Sequence, residues 1–230
     1  MSDPLPPLAE LRRAAEVFNG FANVDTSWLR LMEETQSAID LSQPAHRTIL
    51  LRWLNSWGCR IRYPREGEPA PFDDGVLAWW ETWGATLPAV ALAELTDAGI
   101  DTAAKAYADL AGVAVSAGRT RRTLGPTAAA KALYALRPNT IMPWDAAIAA
   151  ALHGARDGAA FGRHLRLGRA WAAAVIAEAG DGGAGIPALM GRPVSLAKIL
   201  DEYLYVAFTM GAKGDWGTER GEWWKNGNRG

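Results

Sequence analysis

The chain has few of the residues that build covalent and metal cross-links. Its single cysteine, Cys59, excludes an intramolecular disulfide, a thiolate-held iron–sulfur cluster and a cysteine-rich zinc site. The three histidines show no close metal-ligand spacing such as HExxH. We therefore expect neither a metal nor another cofactor. A lone free thiol is typical of a protein kept in the reducing cytoplasm.

Long apolar runs are absent as well. No stretch approaches the ~18 uncharged apolar residues that a membrane helix needs, and the first residues lack the pattern of a secretory signal. We therefore expect a cytoplasmic protein that has no membrane partner. A hydrophobic content of 49% over 230 residues is enough for one large core or two small lobes.

Alternating strand patterns are also missing, and apolar residues recur at helical spacing, as in Trp53, Leu54 and Trp57. The sequence predicts an all-α fold of about ten helices arranged in two lobes. The predicted helices span residues 7–19, 26–41, 43–57, 73–84, 88–98, 101–112, 126–136, 144–153, 158–179 and 195–210. Breaker-rich segments suggest an N-terminal lobe (1–70), a central helical domain (71–179) and a C-terminal helix with a Gly- and Trp-rich tail (180–230) that packs on the N-terminal lobe.

Positive charge is concentrated in one part of the chain. The whole sequence has a formal charge of -1, yet residues 119–169 contain nine Lys and Arg residues against two acids, a local charge of +7. Arg163, Arg166 and Arg169 lie at helical spacing on one predicted face. Such a window is typical of a face that binds a few phosphates, and equally of an ordinary solvated surface.

The segment RTRRTLGPTAAAKALYALRPNTIMPWD, residues 119–145, combines a basic approach, a Gly-Pro turn and an Ala-rich helix. Pro126 suits the first helical position, and the helix start after Gly125 offers free amides to an anion. We predict that this segment binds DNA phosphates. The candidate phosphate-binding residues are Arg119, Arg121, Arg122, Gly125, Thr127 and Lys131.

The same segment resembles the helix-hairpin-helix DNA glycosylase superfamily over residues of about 105–155. Gly125 corresponds to the final glycine of the hairpin, and Asp145 falls where that family keeps its essential aspartate. The hairpin diverges, because Thr123 replaces the usual first glycine. Thr127 stands where bifunctional members have a lysine, so the resemblance implies a monofunctional enzyme, with Lys131 one turn later as a phosphate contact.

Asp145 is the predicted catalytic residue. Cleavage of an N-glycosidic bond develops positive charge on the sugar, and a fixed carboxylate stabilises that charge and orients the attacking water. Its alternative role is that of an ordinary helix N-cap. Trp144 is the first candidate for stacking against an extruded base, followed by Tyr134 and Trp171.

Three functions agree with these patterns. The first is a monofunctional DNA N-glycosylase of the repair type, which flips a modified base out of double-stranded DNA and removes it by hydrolysis assisted by Asp145. The second is a noncatalytic helix-hairpin-helix module that binds nucleic acid, alone or with a partner protein. The third is an all-α protein whose Trp-rich cleft binds a small molecule or a partner helix.

Overall fold

Helices make up the regular structure of the chain, as the sequence predicts. The computed structural model describes residues 6–20, 23–116, 121–180, 186 and 194–210. Within these ranges lie nine α-helices: α1 (Leu8–Asn19), α2 (Asn23–Glu34), α3 (Pro44–Ser56), α4 (Pro71–Trp83), α5 (Asp97–Gly112), α6 (Pro126–Leu136), α7 (Ala146–His153), α8 (Gly158–Ala179) and α9 (Leu196–Leu204). A π-helical segment, Tyr205–Met210, continues α9. The all-α fold is confirmed.

The bounds of α6 and α8 match the prediction, but the predicted helix over 88–98 is wrong. Only a short 3₁₀ turn, Leu92–Glu94, forms there. The hydroxyl of Thr96 accepts a hydrogen bond from the Gly99 amide at 3.0 Å and so starts α5 at Asp97. The turn is held by tertiary contacts, which apolar periodicity along the sequence does not encode.

The helix predicted over 26–41 is also too long at its C-terminal end. Gln36 and Ser37 have φ angles of +51° and +60°, in the left-handed region that ends a helix. The amide of Ser37 donates to the carbonyl of Met32 at 2.7 Å, which closes the last turn of α2. A short loop then leads to α3.

Residues 113–115, after α5, pair with residues 122–124, before α6. Ala114 and Thr123 form an isolated antiparallel bridge, so Thr123 belongs to this paired backbone. At its end Gly125 has a φ of +81°, where a side chain would be strained. Pro126 follows as the first residue of α6, as predicted.

The helix α5 packs against both α6 and α8 in the core. The rings of Tyr107 and Phe161 stack with their centroids 4.1 Å apart, which joins α5 to α8. Most of α6 is buried, and Lys131 interrupts its apolar surface. No helix in the described part of the chain is both long and apolar enough to cross a membrane.

The C-terminal helix packs against the first one. Phe18 of α1 and Tyr205, just after α9, meet edge to face at 5.8 Å, and the Tyr203 hydroxyl lies 3.5 Å from a Glu10 carboxylate oxygen. This packing brings the end of α9 back over the N-terminal helices. The predicted Gly- and Trp-rich tail, residues 211–230, falls outside the described residues.

Candidate functional site

A cavity of about 520 Å³ opens between α1, α3, α6, the start of α7 and α9. Its walls combine aromatic rings with two lysines and two aspartates. The lining residues are Phe18, Ser27, Ser56, Trp57, Lys131, Pro143, Trp144, Asp145, Ile148, Lys198, Asp201 and Tyr205. A volume of this size suits a small organic ligand or a single nucleotide base, and mixed apolar and polar walls are typical of binding sites.

Asp145 lies in this cavity and also caps α7. Its Oδ1 accepts hydrogen bonds from the amides of Ala147 and Ile148, each at 2.9 Å. Its Oδ2 accepts one from the Thr209 hydroxyl at 2.6 Å. The two roles that the sequence leaves open, N-cap and cavity carboxylate, therefore belong to the same side chain. Three donors hold the carboxylate in one orientation, and Oδ2 keeps a lone pair for a further donor.

Lys131 projects from the middle of α6 into the same cavity. Its ammonium donates to the carbonyl of Trp57 at 3.0 Å and lies 5.0 Å from the centre of the Trp57 ring. Burial lowers the pKa of Lys131, and the nearby Cys59, Asp201 and Asp145 act in the opposite direction. The predicted phosphate contact thus lies among the lining residues of the cavity.

A charged cluster on α9 forms another wall. The ammonium of Lys198 donates to Asp201 Oδ2 at 2.7 Å and lies 3.6 Å from Glu202 Oε1. It also stands 4.4 Å from the ring centre of Phe18 and 5.1 Å from that of Trp57. All three charged side chains are buried. Burial raises the pKa of Asp201, while the Lys198 ammonium opposes that rise.

The sequence leaves two places open for Asp201 and Glu202, a cleft or a solvated helix face, with the solvated face favoured; the structure buries both side chains. Lys198, Asp201 and Glu202 share one side of the helix at i, i+3 and i+4 spacing, beside a separate apolar side. The sequence contains one signal of this burial: neighbouring charges of opposite sign can be buried together as an ion pair. The aromatic walls formed by Phe18, Trp57 and Tyr205 were also missed, because three distant segments contribute them.

The predicted base-stacking residues are packed inside the protein. Trp144 contributes to the cavity wall, but its side chain is 1% exposed, and its ring packs 5.2 Å from that of Phe161. Tyr134 is buried against Trp28 at 5.0 Å. Trp171 is buried against Tyr203 at 6.1 Å. The structure does not bring Tyr134 or Trp171 to the cavity.

A buried histidine, His164, and a half-buried one, His153, support the segment that leads into Asp145. His164 Nε2 lies 3.2 Å from the Pro143 carbonyl, and His153 Nε2 lies 3.1 Å from His164 Nδ1. Because a carbonyl only accepts, His164 donates from Nε2 and His153 donates to His164 Nδ1. Burial lowers the pKa of His153 to about 4 and that of His164 to about 3. Both rings are therefore neutral near pH 7.

The turn for which the sequence predicts phosphate binding is half-buried at Gly125, Pro126 and Thr127. The first turn of α6 has no side-chain cap, so the amides of Thr127 and Ala128 have no intrahelical acceptor. Arg121 and Arg122 precede this turn and are exposed. Arg119 lies outside the described residues. The helix start and the two arginines together form a local positive surface.

Three arginines of α8, Arg163, Arg166 and Arg169, form a stripe whose surroundings differ from those of Arg121 and Arg122. Arg166 donates to Asp101 at 2.7 Å, and Arg169 donates to Asp97 at 2.9 Å. The two aspartates belong to α5, which packs against α8. Two of the three stripe arginines are therefore already paired with carboxylates, which weakens their predicted use as phosphate contacts.

Comparison with family models, curated proteins and solved structures finds no match to this chain. The resemblance to the helix-hairpin-helix glycosylases consequently rests on the Gly125 and Asp145 motif itself. Any functional assignment depends on the cavity and its surroundings.

Proposed function

We propose that the protein is a monofunctional DNA N-glycosylase that hydrolyses the bond between a modified base and its deoxyribose. The observation that carries this proposal is the placement of Asp145, held by three hydrogen-bond donors at the wall of an aromatic-lined cavity. A carboxylate fixed in this way is already oriented before the reaction begins, which is how electrostatic catalysis avoids reorganisation.

The chemistry follows from the charge that develops on the sugar. As the bond to the base breaks, positive charge accumulates at C1′ and the ring oxygen, and the Asp145 carboxylate stabilises it. The free lone pair on Oδ2 orients the water that attacks C1′.

The cavity binds the base of the extruded nucleotide, and the first turn of α6 binds the DNA phosphates. Phe18, Trp57 and Tyr205 offer aromatic faces against which an extruded base stacks. The first turn of α6, with Arg121 and Arg122, binds the phosphate backbone without reading its sequence. Tyr134 and Trp171, which the sequence predicts to stack against the base, are buried away from the cavity. Phe18, Trp57 and Tyr205 take that role instead.

A second candidate is a cavity for a free small molecule, with no role for DNA. Two observations favour it: the volume of about 520 Å³ suits such a ligand, and Arg166 and Arg169 are paired with acids of α5. A free nucleoside would use the same aromatic walls and the same carboxylate.

Incubation with duplexes that carry alkylated, oxidised and deaminated bases separates the candidates. We expect strand cleavage after hot alkali for at least one base, and loss of that cleavage in Asp145→Asn. Borohydride is expected to trap no protein–DNA adduct; an adduct that disappears in Lys131→Met would contradict a hydrolytic mechanism. Binding without base release would favour the noncatalytic module, and no binding at low salt would favour the small-molecule cavity.

A further inference from the structure

A second, smaller cavity of about 330 Å³ lies between α2 and α3. The walls of this side chamber include Ser27, Arg30 and Leu31 of α2 and Arg52, Trp53 and Ser56 of α3. Ser27 and Ser56 also line the cavity that contains Asp145. The side chamber therefore borders the Asp145 cavity, and one ligand can occupy both.

Helical spacing gives the side chamber an apolar floor and a basic rim. Arg30 and Leu31 follow one another on α2, and Arg52 and Trp53 do the same on α3. Leu31 and Trp53 are buried. The side chains of Arg30 and Arg52, in contrast, are 63% and 41% exposed. Their charged ends are thus accessible to a ligand from solvent.

Two guanidinium groups share one carboxylate at this rim. Arg30 Nε donates to Glu34 Oε1 at 2.9 Å, and Arg52 Nη2 donates to Oε2 of the same carboxylate. Each guanidinium has five N–H donors and uses one of them on a residue in the described ranges. No carboxylate is among the described residues that line the side chamber. One positive charge is therefore in excess, and most of the guanidinium donors are unused.

This arrangement differs from the arginine stripe on α8. Arg166 and Arg169 are paired with two carboxylates of α5, so their charges are balanced. An arginine pair with one excess charge attracts an external anion, and the planar fork of arginine fits the oxygens of a phosphate. Because exposed ion pairs contribute little, the contacts to Glu34 are readily exchanged for contacts to a phosphate.

We propose that the side chamber is a phosphate subsite, and that the two cavities together hold one nucleotide. The base lies in the Asp145 cavity, and the phosphate contacts Arg30 and Arg52. This subsite is separate from the first turn of α6, whose residues do not line the side chamber. The inference goes beyond the proposed function because it requires no bond cleavage. A nucleotide extruded from DNA and a free nucleoside monophosphate present the same phosphate chemistry.

Duplexes with one neutral backbone linkage test the subsite with DNA. Hypoxanthine opposite thymine is the probe, because a mispaired base is extruded at low cost, and a 2′-fluoro group on its sugar slows cleavage by disfavouring positive charge at C1′. A methylphosphonate replaces, in turn, each of the two phosphates that flank hypoxanthine. We expect one of these replacements to weaken binding by the wild type about tenfold, and binding by Arg30→Ala combined with Arg52→Ala by less than about twofold. The control pair, Arg121→Ala with Arg122→Ala, should respond as the wild type does.

Free ligands test the subsite without DNA. Deoxyinosine, the nucleoside of hypoxanthine, is compared with its 5′-monophosphate by titration calorimetry. We expect the wild type to bind the monophosphate about tenfold or more tightly than the nucleoside, and the Arg30 and Arg52 double variant to bind both alike. An effect in the duplex alone would assign the phosphate to DNA, and an effect with the free ligand alone would assign it to a free nucleotide.

Glu34→Gln supplies an effect of opposite sign, which a loss of folding cannot produce. The change frees both guanidinium groups, so we expect the probe that responds to bind about threefold or more tightly. Glu33→Gln is the matched control. Glu33 is the exposed neighbour of Glu34, and its side chain makes no ion pair with a residue in the described ranges. This control removes the same charge and should change binding by less than about twofold.

Three results would overturn the subsite: equal sensitivity of the wild type and the double variant to methylphosphonate together with equal binding of the nucleoside and its monophosphate, equal affinities of Glu34→Gln and Glu33→Gln, or binding of neither probe. Base release by the wild type together with any of these results would retain the proposed function and remove the subsite. The expected phosphate effects without any base release would retain the subsite and remove the glycosylase function.

Discussion

The first turns of α6 and α7 follow one another in the chain but use their backbone amides in opposite ways. At α6, Gly125 and Pro126 open a helix whose first amides have no side-chain cap. At α7, Asp145 accepts hydrogen bonds from two amides. An uncapped start attracts an external anion, whereas a capped start holds its own carboxylate rigidly. The proposed function assigns phosphate binding to the first and chemistry to the second.

The largest expected effect comes from Asp145→Asn. Asparagine caps a helix about as well as aspartate, so α7 should persist while the negative charge is lost. We expect the single-turnover rate of base release to fall by about 100-fold or more. Asp157→Asn is the matched control, because Asp157 caps α8 through the Ala160 amide and does not line the cavity. An equal loss in both variants would remove Asp145 from catalysis.

Acid is expected to destabilise the segment that positions Asp145. Burial lowers the pKa of His164 to about 3, whereas the unfolded chain restores it to the ordinary 6.5. Between these values the unfolded state binds more protons, so stability is lost as the pH falls below about 6.5 and is unaffected above it. His164 alone contributes a slope of roughly 1.4 kcal/mol per pH unit inside that window.

Urea unfolding of the wild type at pH 7, 6 and 5 measures this slope. In His164→Leu we expect the free energy of unfolding to fall less between pH 7 and pH 5 than in the wild type, even where the variant is less stable at pH 7. An equal fall in both proteins would show that His164 is not the group that takes up the proton.

The basic surface beside α6 should matter more for DNA than the stripe on α8. Arg121→Ala combined with Arg122→Ala is expected to weaken duplex binding about tenfold and to reduce the slope of log affinity against log salt by about 2. The control pair, Arg166→Ala with Arg169→Ala, removes arginines that already contact Asp97 and Asp101. A larger effect of the control pair would reverse the assignment of the two surfaces.

Thr209→Val removes the donor to Asp145 Oδ2 and retains the shape of the side chain. Since the two amide donors remain, we expect release to slow about tenfold or less, without loss of DNA affinity. Thr102→Val is a suitable control, because the Thr102 hydroxyl donates to the Ala98 carbonyl within its own helix. A rate unchanged by Thr209→Val would show that the third donor does not orient the carboxylate.

Gly125→Ala tests the geometry of the α6 start. The left-handed φ of +81° makes a side chain unfavourable by about 1 kcal/mol. Gly154, with a φ of +63° after α7, incurs a similar penalty on substitution by alanine. Only the change at Gly125 is expected to reduce DNA affinity as well as the free energy of unfolding. Equal affinity in both variants would contradict phosphate binding at this turn.

Local sequence signals predicted much of the fold because helix starts are encoded locally. The Gly125–Pro126 start of α6 and the predicted span of α8, residues 158–179, agree with the structure. The failures arose where tertiary contacts decide the backbone. Leu92 donates its amide to Asn139, which holds a turn where a helix was predicted.

The candidate site was only partly predictable for a related reason. Asp145 stood out through its spacing from Gly125 and its place at a helix start. Lys198 and Asp201 did not, because a charged helix face looks solvated until another helix covers it. Trp57 directly follows α3, and it meets Lys131 of α6 only in the folded chain.

Mass spectrometry of the products tests the central claim most directly. A duplex with one modified base is incubated with wild-type protein or with Asp145→Asn, and the free base and the abasic strand are measured together. We predict equal amounts of both products with the wild type and almost none with the variant. Both products at wild-type rates with Asp145→Asn, or an intact strand with every modified base and the wild type, would contradict the account.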